Sequence, residues 1–489
     1  MPLKNNIVYE SLLSHNYFPE QKRDKEELPP IFSTRTFTTT VANQLCNEPL
    51  RGGRSVSQSG YDQVEYRITR YNNVSRPISI PHPMPYANLA GCISNNWNKL
   101  DYICSNANSL VFPKKHSDGR IIIMDYSKEN IESDLSNSFG NKFRVRTDIA
   151  NFFPSIYTHS IPWALVGFST AKSNKHGSVW YNRLDTYQRY TKRNETQGIP
   201  IGPATSNIIS ELILARVDDK LSSDFTYYRY VDDYICYCDT YEKADKFIRR
   251  LSVELWKYKL LLNISKTTIE PLPVTLSQNW ILDLYTRLPE GKEINVTLAI
   301  RFLDYAVSIQ NKTPDGSVLK FAAKSIKGKL HKLARKSVLE YLLQLSLHYP
   351  ILLPLLDSLF DNVTTAKKSF GYDKQLKKIL DLNIINCRSD AMCWVIYYML
   401  KFGIKINRAR AKKVIETRDC LAITLIYKTG NYDTEVINFI NSLDHSDRYE
   451  LDQHWILLYQ VYRDNKIQNP YPGDNTFQIL RNGNVTFLR

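Results

Sequence analysis

Acidic side chains are in short supply in this sequence: 49 Asp and Glu stand against 64 Lys and Arg, a formal charge of +15 at pH 7 with a pI near 9.2. That imbalance, with 32 tyrosines, argues for a polyanionic partner, most simply nucleic acid. Long apolar runs are missing too, since none approaches the roughly 18 residues of a membrane span. Residues 1–6 hold no apolar core of signal-peptide length, so the cytoplasm is the expected location and no membrane contact is expected. The eight cysteines lack the paired spacing that holds a metal. Cys236 and Cys238 stand two apart in a predicted strand and Cys387 and Cys393 fall in a helical region, so they are read as reduced, mostly buried thiols. What is present suffices for a globular protein: 489 residues with 43% hydrophobic content can build two or three domains with sizeable cores.

The chain is organised around residues 225–238. Two runs of aromatic and β-branched residues flank a tight turn carrying Asp232 and Asp233, a pattern that predicts a β-hairpin presenting acids. Because side chains alternate along a strand, only Asp232 need face a metal squarely, with Asp233 at its edge. An isolated Asp-Asp pair is ordinarily a surface turn. The chain holds its own comparison in Val217-Asp218-Asp219, which ends a run of helically spaced apolar residues, 206–217; there the acids are expected to form a solvated helix face. At the hairpin, apolar flanks on both sides would hold the acids rigidly beside a core.

Residues 143–148 alternate apolar and basic side chains up to Asp148, expected at a strand's C-terminal end ahead of Phe152 and Phe153. A single acid there could also cap a helix. Set beside the hairpin in one sheet, Asp148 and Asp232 would form an oxygen-rich site for Mg²⁺, which takes one or two carboxylates plus substrate phosphates. Two such ions about 4 Å apart would activate a 3′ hydroxyl and neutralise a leaving pyrophosphate. Between these acids, Gln197-Gly198-Ile199-Pro200-Ile201-Gly202-Pro203 forces a particular loop, in which glycine permits close backbone approach to a ligand; a plain helix-entry loop is the alternative. Lys114, Lys115 and Arg120 surround a turn that feeds an apolar strand, 121–124, and either contact phosphates or face solvent. Residues 244–258 read as a helix and 260–269 as a strand carrying Lys266. Near the start, Tyr9, Leu12, Leu13, Tyr17 and Phe18 suggest a short amphipathic helix.

In order and spacing these segments resemble the palm motifs of reverse transcriptases: the aspartate strand with its aromatics, the Gln-Gly-x-Pro loop, the Tyr-x-Asp-Asp hairpin and a final lysine strand. The resemblance implies that Asp148, Asp232 and Asp233 are the catalytic carboxylates and that they hold two Mg²⁺ ions, or Mn²⁺ in substitution, together with Ile149. It implies that Phe153 lies under the sugar and excludes a 2′ hydroxyl, and that Gln197 and Gly198 form the nucleotide-pocket loop. Lys266 would stand near the leaving phosphate, and Lys114, Lys115 and Arg120 would hold the triphosphate from the fingers. Finer features resemble the bacterial abortive-infection and defence-associated reverse transcriptases: Asn16-Tyr17-Phe18-Pro19-Glu20 with Glu27-Leu28-Pro29-Pro30, Ser155-Ile156-Tyr157-Thr158-His159-Ser160-Ile161-Pro162-Trp163-Ala164, and Gly202 where many retroelement enzymes carry Ser. No primer-grip motif follows Ile269; Ser277-Gln278-Asn279-Trp280-Ile281 stands there instead.

From about residue 295 apolar residues recur at helical spacing in segments such as 296–310, 338–349, 392–400 and 455–462, with short breaks between them. The expected fold is α+β: an N-terminal extension (1–60), right-hand polymerase fingers and palm (61–285), an all-α HEAT-like helical-repeat domain (286–468) and a C-terminal hairpin (469–489) turning at Asn482-Gly483. No additional acid cluster marks an RNase H. The resemblance implies an antiphage-defence DNA polymerase that consumes deoxynucleoside triphosphates, starts from a protein tyrosine with little or no template, carries its DNA product covalently and forms a homo-oligomer. Tyr9, Tyr17 and Tyr61, near segments read as mobile, are the priming candidates. One alternative is templated, repetitive synthesis on a bound non-coding RNA. Another is a catalytically inactive RNA-binding scaffold, against which the three aspartates and Phe153 speak.

Overall fold

Alternating apolar residues build the first ribbon. β1 (Gln63–Thr69) and β2 (Ser75–Pro81) pair antiparallel with Tyr66 opposite Ile78 and Val64 opposite Ile80, so these pairs share a buried face while Glu65 and Arg67 face solvent. The computed structural model describes residues 3–19, 27–52, 58–70, 72–115, 121–122, 130–314, 316–363 and 371–489. β3 (Lys114–Lys115) and β4 (Ile121–Ile122) form a separate two-stranded ladder. The sheet that matters most contains β5 (Phe143–Asp148), β6 (Thr226–Tyr230), β7 (Asp233–Cys238) and β8 (Thr268–Pro271), all antiparallel, in the order β6-β7-β5-β8.

β6 and β7 are the hairpin expected at 225–238, closed by a two-residue turn, Val231-Asp232. Behind the sheet runs the helix Tyr241–Trp256, capped by Thr240, whose side chain accepts from the Lys243 amide; Ala244, Phe247, Leu251 and Leu255 form its buried stripe. Helix Ala204–Asp218 is buried on nearly all sides, which is why its sequence has so little amphipathic character. The expected strand at 260–269 is divided. Leu261 and Asn263 bond the end of β5 (Ala150 N to Leu261 O, 2.8 Å; Asn263 N to Asp148 O, 2.7 Å), after which Ile264–Lys266 makes a 3₁₀ turn and only Thr268–Pro271 joins the sheet.

Asp218 departs from the solvated helix face expected of it; only Asp219 is exposed. Arg229 on β6 is fully buried and forks onto Glu211 at 2.7 and 2.8 Å, while its Nε donates to Asp218 at 2.8 Å. Tyr227 and Asn106 donate the remaining bonds to Asp218, at 2.8 and 2.7 Å. Helical periodicity places Asp218 on the helix but says nothing of a cation arriving from a strand.

The chain ends are interlocked. The N-terminal segment is two short helical pieces, Asn5–Glu10 and Ser11–His15, buried through Val8, Leu12 and Leu13 instead of lying amphipathic on the surface. The C-terminal hairpin is replaced by a helix, Thr476–Asn482, because Phe477 and Leu480, three apart, both bury; the chain turns only after it, with Asn484 at φ 52°. Phe487 and Leu488 then pack on this chain's own N-terminal segment, where Phe32 bridges Leu488. Between the sheet and this end the chain is helical, and Ser389–Lys401, buried over most of its surface, packs on β1.

Removing the cation from the buried triad should be severe. Arg229→Met leaves Glu211 and Asp218 as uncompensated buried acids, expected to cost about 3–5 kcal/mol in urea unfolding, whereas Asp219→Asn should stay within about 0.5 kcal/mol of the parent.

Candidate active site

Strand register assembles the acids. β5 pairs β7 so that Asp148 lies opposite Asp233, and Asp232 occupies the adjoining turn, where its carbonyl accepts from the Ile149 amide at 3.3 Å. Ile149, expected beside the metal site, is buried between that turn and Leu262. The turn is strained: Val231, a β-branched residue, sits at φ 51°. Arg229 holds it by donating to the Val231 carbonyl at 3.1 Å. An open cleft of about 730 Å³ fronts the sheet, lined by Arg144, Arg146, Ile235, Glu270 and Trp280 among others.

The electrostatics of this cluster are unbalanced. Burial, then repulsion from Asp148 and Asp233, pushes the Asp232 carboxyl up to about 7. Asp233 is raised by burial and by Asp148, opposed by Lys266 and Arg146. Lys266 donates to Asp148 Oδ2, a bond that raises the lysine, while Asp148 Oδ1 is buried with no hydrogen-bond partner. Among the described residues no three His, Cys, Asp or Glu side chains are preassembled as a metal shell. The donor set nevertheless fits a hard divalent cation: all-oxygen, with an orphaned buried carboxylate oxygen and an ammonium already supplying positive charge.

The nucleotide-loop candidates come together beside this cluster. Phe153 is half-buried on the short helix Phe152–Ser155, its carbonyl accepting from Ile199 N at 3.0 Å. Gln197 bridges Tyr157 and donates to Pro154 O at 3.2 Å; Gly198 donates to Ile156 O at 2.8 Å. A Cβ on Gly198 would stand 3.0 Å from Pro154 O, and its φ of +81° is one that residues with side chains rarely adopt. Lys114 and Lys115 lie in the β3–β4 ladder, with the Lys114 ammonium 5.9 Å from the Phe112 ring centroid. Arg120 lies outside the described residues.

The three priming candidates are corrected. Tyr9, Tyr17 and Tyr61 are all buried: the Tyr17 hydroxyl donates to Pro81 O, Tyr61 accepts from the Arg51 amide at 3.2 Å, and Tyr9 lies 3.9 Å from Cys46 Sγ. Apolar residues around them bury them in the core, and burial pushes all three phenols up, away from the phenolate a nucleophile needs. Sequence reasoning missed two cations. Arg229 carries no signal in its strand beyond its identity. Arg76 on β2 is half-buried, its guanidinium pushed down by burial and then by Arg70, while Glu27 and Asp232 act oppositely.

Asp232 is largely protonated below about pH 7, so cation binding there has to displace a proton. Calorimetry of Mg²⁺ binding in buffers of different ionisation enthalpy should therefore show proton release near pH 6.5, with affinity falling up to about tenfold per pH unit below 7. Asp232→Asn should abolish the release; equal heats in all buffers would contradict the assignment.

Residues 101–313 match the family model described as reverse transcriptase (RNA-dependent DNA polymerase). Among solved structures, the chain is similar to apo telomerase from Candida tropicalis at 11% identity and TM-score 0.35, over 85% of this chain and 76% of that one. It is similar to telomerase from Candida albicans, in complex with a TWJ fragment of telomeric RNA, at 10% identity and TM-score 0.31, over 86% and 71%. No curated protein matches the chain. The family match takes in the strand ending at Asp148, the Gln197 loop, the Asp232-Asp233 hairpin and Lys266, so the chain contains a reverse transcriptase domain and is an RNA-directed DNA polymerase by class.

Proposed function

We propose that this chain is an antiphage-defence reverse transcriptase that joins deoxynucleotides into DNA at Asp148, Asp232 and Asp233 by two-metal chemistry. The observation that carries the polymerase chemistry is the sheet register, which sets Asp148 on β5 beside the Asp232-Asp233 hairpin and leaves a buried Asp148 oxygen unfilled. Divalent cations bound there would polarise the attacking hydroxyl and the departing pyrophosphate. The chain's own residues do the rest. Lys266 balances charge at Asp148, Phe153 and the Gln197-Gly198 loop bound the sugar and base, and Arg146 supplies positive charge beside Asp233. Positioning and fixed charge are the larger part of such catalysis.

Initiation from a tyrosine with little or no template belongs to this reading, but the acceptor has to be one of the 32 tyrosines other than Tyr9, Tyr17 and Tyr61. The +15 charge favours a second reading, templated synthesis on a bound non-coding RNA. Successive helices packed pairwise support a HEAT-like array in the region 286–468 and the division into extension, palm and helical domain; a homo-oligomer completes the proposal.

The test incubates nuclease-treated protein with Mg²⁺ and each labelled deoxynucleotide singly, without primer or template, beside Asp232→Asn and an RNA-containing preparation. DNase-sensitive label migrating with the protein and absent in the variant supports tyrosine priming. Activity confined to the RNA-containing sample favours the templated reading, and silence in both would sink polymerase function. Phe153→Ala should relax discrimination against ribonucleotides by about 10–200-fold in the ratio of kcat/KM values, with deoxynucleotide use reduced less.

A further inference from the structure

The sequence between Asp148 and Asp185 contains no acidic residue, yet it carries Lys172, Lys175 and Arg183 with His159 and His176. The fold turns part of this stretch into a surface strip, with Phe168 exposed, Tyr157 and His159 half-buried, and Trp163 buried beneath them. Tyr157, His159, Trp163 and Phe168 stand ring to ring: Tyr157 and His159 are 5.1 Å apart at 90°, Tyr157 and Trp163 5.7 Å at 60°, and Trp163 and Phe168 5.0 Å at 66°. Gly167, at φ +84°, breaks the chain between helices Ser160–Val166 and Phe168–Ser173 and leaves Phe168 58% exposed. The Lys172 ammonium lies 5.3 Å from the Trp163 centroid and 5.4 Å from that of Phe168, and residues 172–178 are all exposed.

An apolar patch alone would carry nothing, but this one has a charge and a place. Asp185, the first acid after the stretch, is buried and paired with His159 at 2.6 Å and Arg189 at 3.4 Å, so it does not offset the lysines. The strip also begins at the nucleotide loop: Gly198 N donates to Ile156 O and Thr158 N to Thr196 O, both at 2.8 Å, and Tyr157 bridges Gln197. Accessible rings tilted against one another beside the Lys172 ammonium suit separated bases on an anionic backbone; in a duplex the base faces are already stacked.

We infer that Tyr157, His159, Phe168 and Lys172, carried on the buried Trp163, form a track for an unpaired nucleic-acid strand leading to or from the Gln197-Gly198 loop. The location rests on the polymerase reading of that loop; the binding chemistry does not. Fluorescence anisotropy with the full chain tests it, using labelled oligo(dT), oligo(U) and a duplex of the same length, on the parent, Phe168→Ala and Lys172→Glu. Phe168 is exposed, so the melting temperature should not move. Loss of one stacked base should weaken single-strand binding by about 5–150-fold, and Lys172→Glu should lower the slope of log K against log salt by about one. Duplex affinity should change least. Weakening for oligo(dT) alone or oligo(U) alone assigns the track to DNA or RNA. Unchanged single-strand affinity in both variants, or equal loss for the duplex, overturns the proposal. A parent that binds oligonucleotides through Phe168 but incorporates no nucleotide sinks the polymerase reading and leaves the track standing.

Discussion

Arg229 is the interaction on which the rest of the structure leans. A guanidinium with no solvent exposure is tolerable only when its charge and its donors are met, and here Glu211, Asp218 and the Val231 carbonyl meet them. Burial pushes Glu211 up and Arg229 opposes it, so each charge depends on the other. The same residue holds both sides of β6. Its side chain ties the strand to the helix Ala204–Asp218, while its amide donates to Asn108 O at 2.8 Å and its carbonyl accepts from Leu110 N at 3.0 Å, which covers an otherwise open sheet edge. A β-branched residue at φ 51° costs free energy, and this surrounding lattice holds Val231 there.

That rigidity has a consequence at the strand ends. Three carboxylates are kept close although they repel, and the strain appears as the raised Asp232 and Asp233 carboxyls and the unfilled Asp148 oxygen. Lys266 relieves only part of it, from the exposed side. Positive charge brought to such a cluster would relieve that repulsion.

The helical end of the chain also reaches the site, through β1 and β2. Arg51 forks onto Asp452 at 2.8 and 3.0 Å in the interior, Asp390 accepts from the Thr69 amide at 2.6 Å, and Trp455 donates to Ile80 O at 3.2 Å. Burial pushes the Asp452 and Asp390 carboxyls up to about 6 against the bonds they accept. The ribbon thus anchored donates from Ser79 N to Ile201 O at 2.7 Å, and Ile78 packs where any side chain on Gly202 would collide. The loop 197–202 is therefore positioned from both the sheet and the helical region.

What the sequence determined by itself was local: the hairpin tip, the strand ending at Asp148, the Gln197 loop and the periodic helices, each written in residues that are neighbours along the chain. These features were legible because strand alternation, turn chemistry and helical spacing act over a few residues. Tertiary structure decided the rest. Asp218 looked solvated until Arg229 arrived from a strand; Tyr9, Tyr17 and Tyr61 looked available until packing closed over them; and the Asn-Gly hairpin gave way to a helix whose Phe477 and Leu480 had a core to enter. The aromatic strip from Tyr157 to Phe168 escaped reading for the same reason, since side-chain stacking is set by packing. Burial and the pairing of charges join separate elements, from 11 residues apart for Asp218 and Arg229 to 401 for Arg51 and Asp452, and no local pattern records which of them will meet.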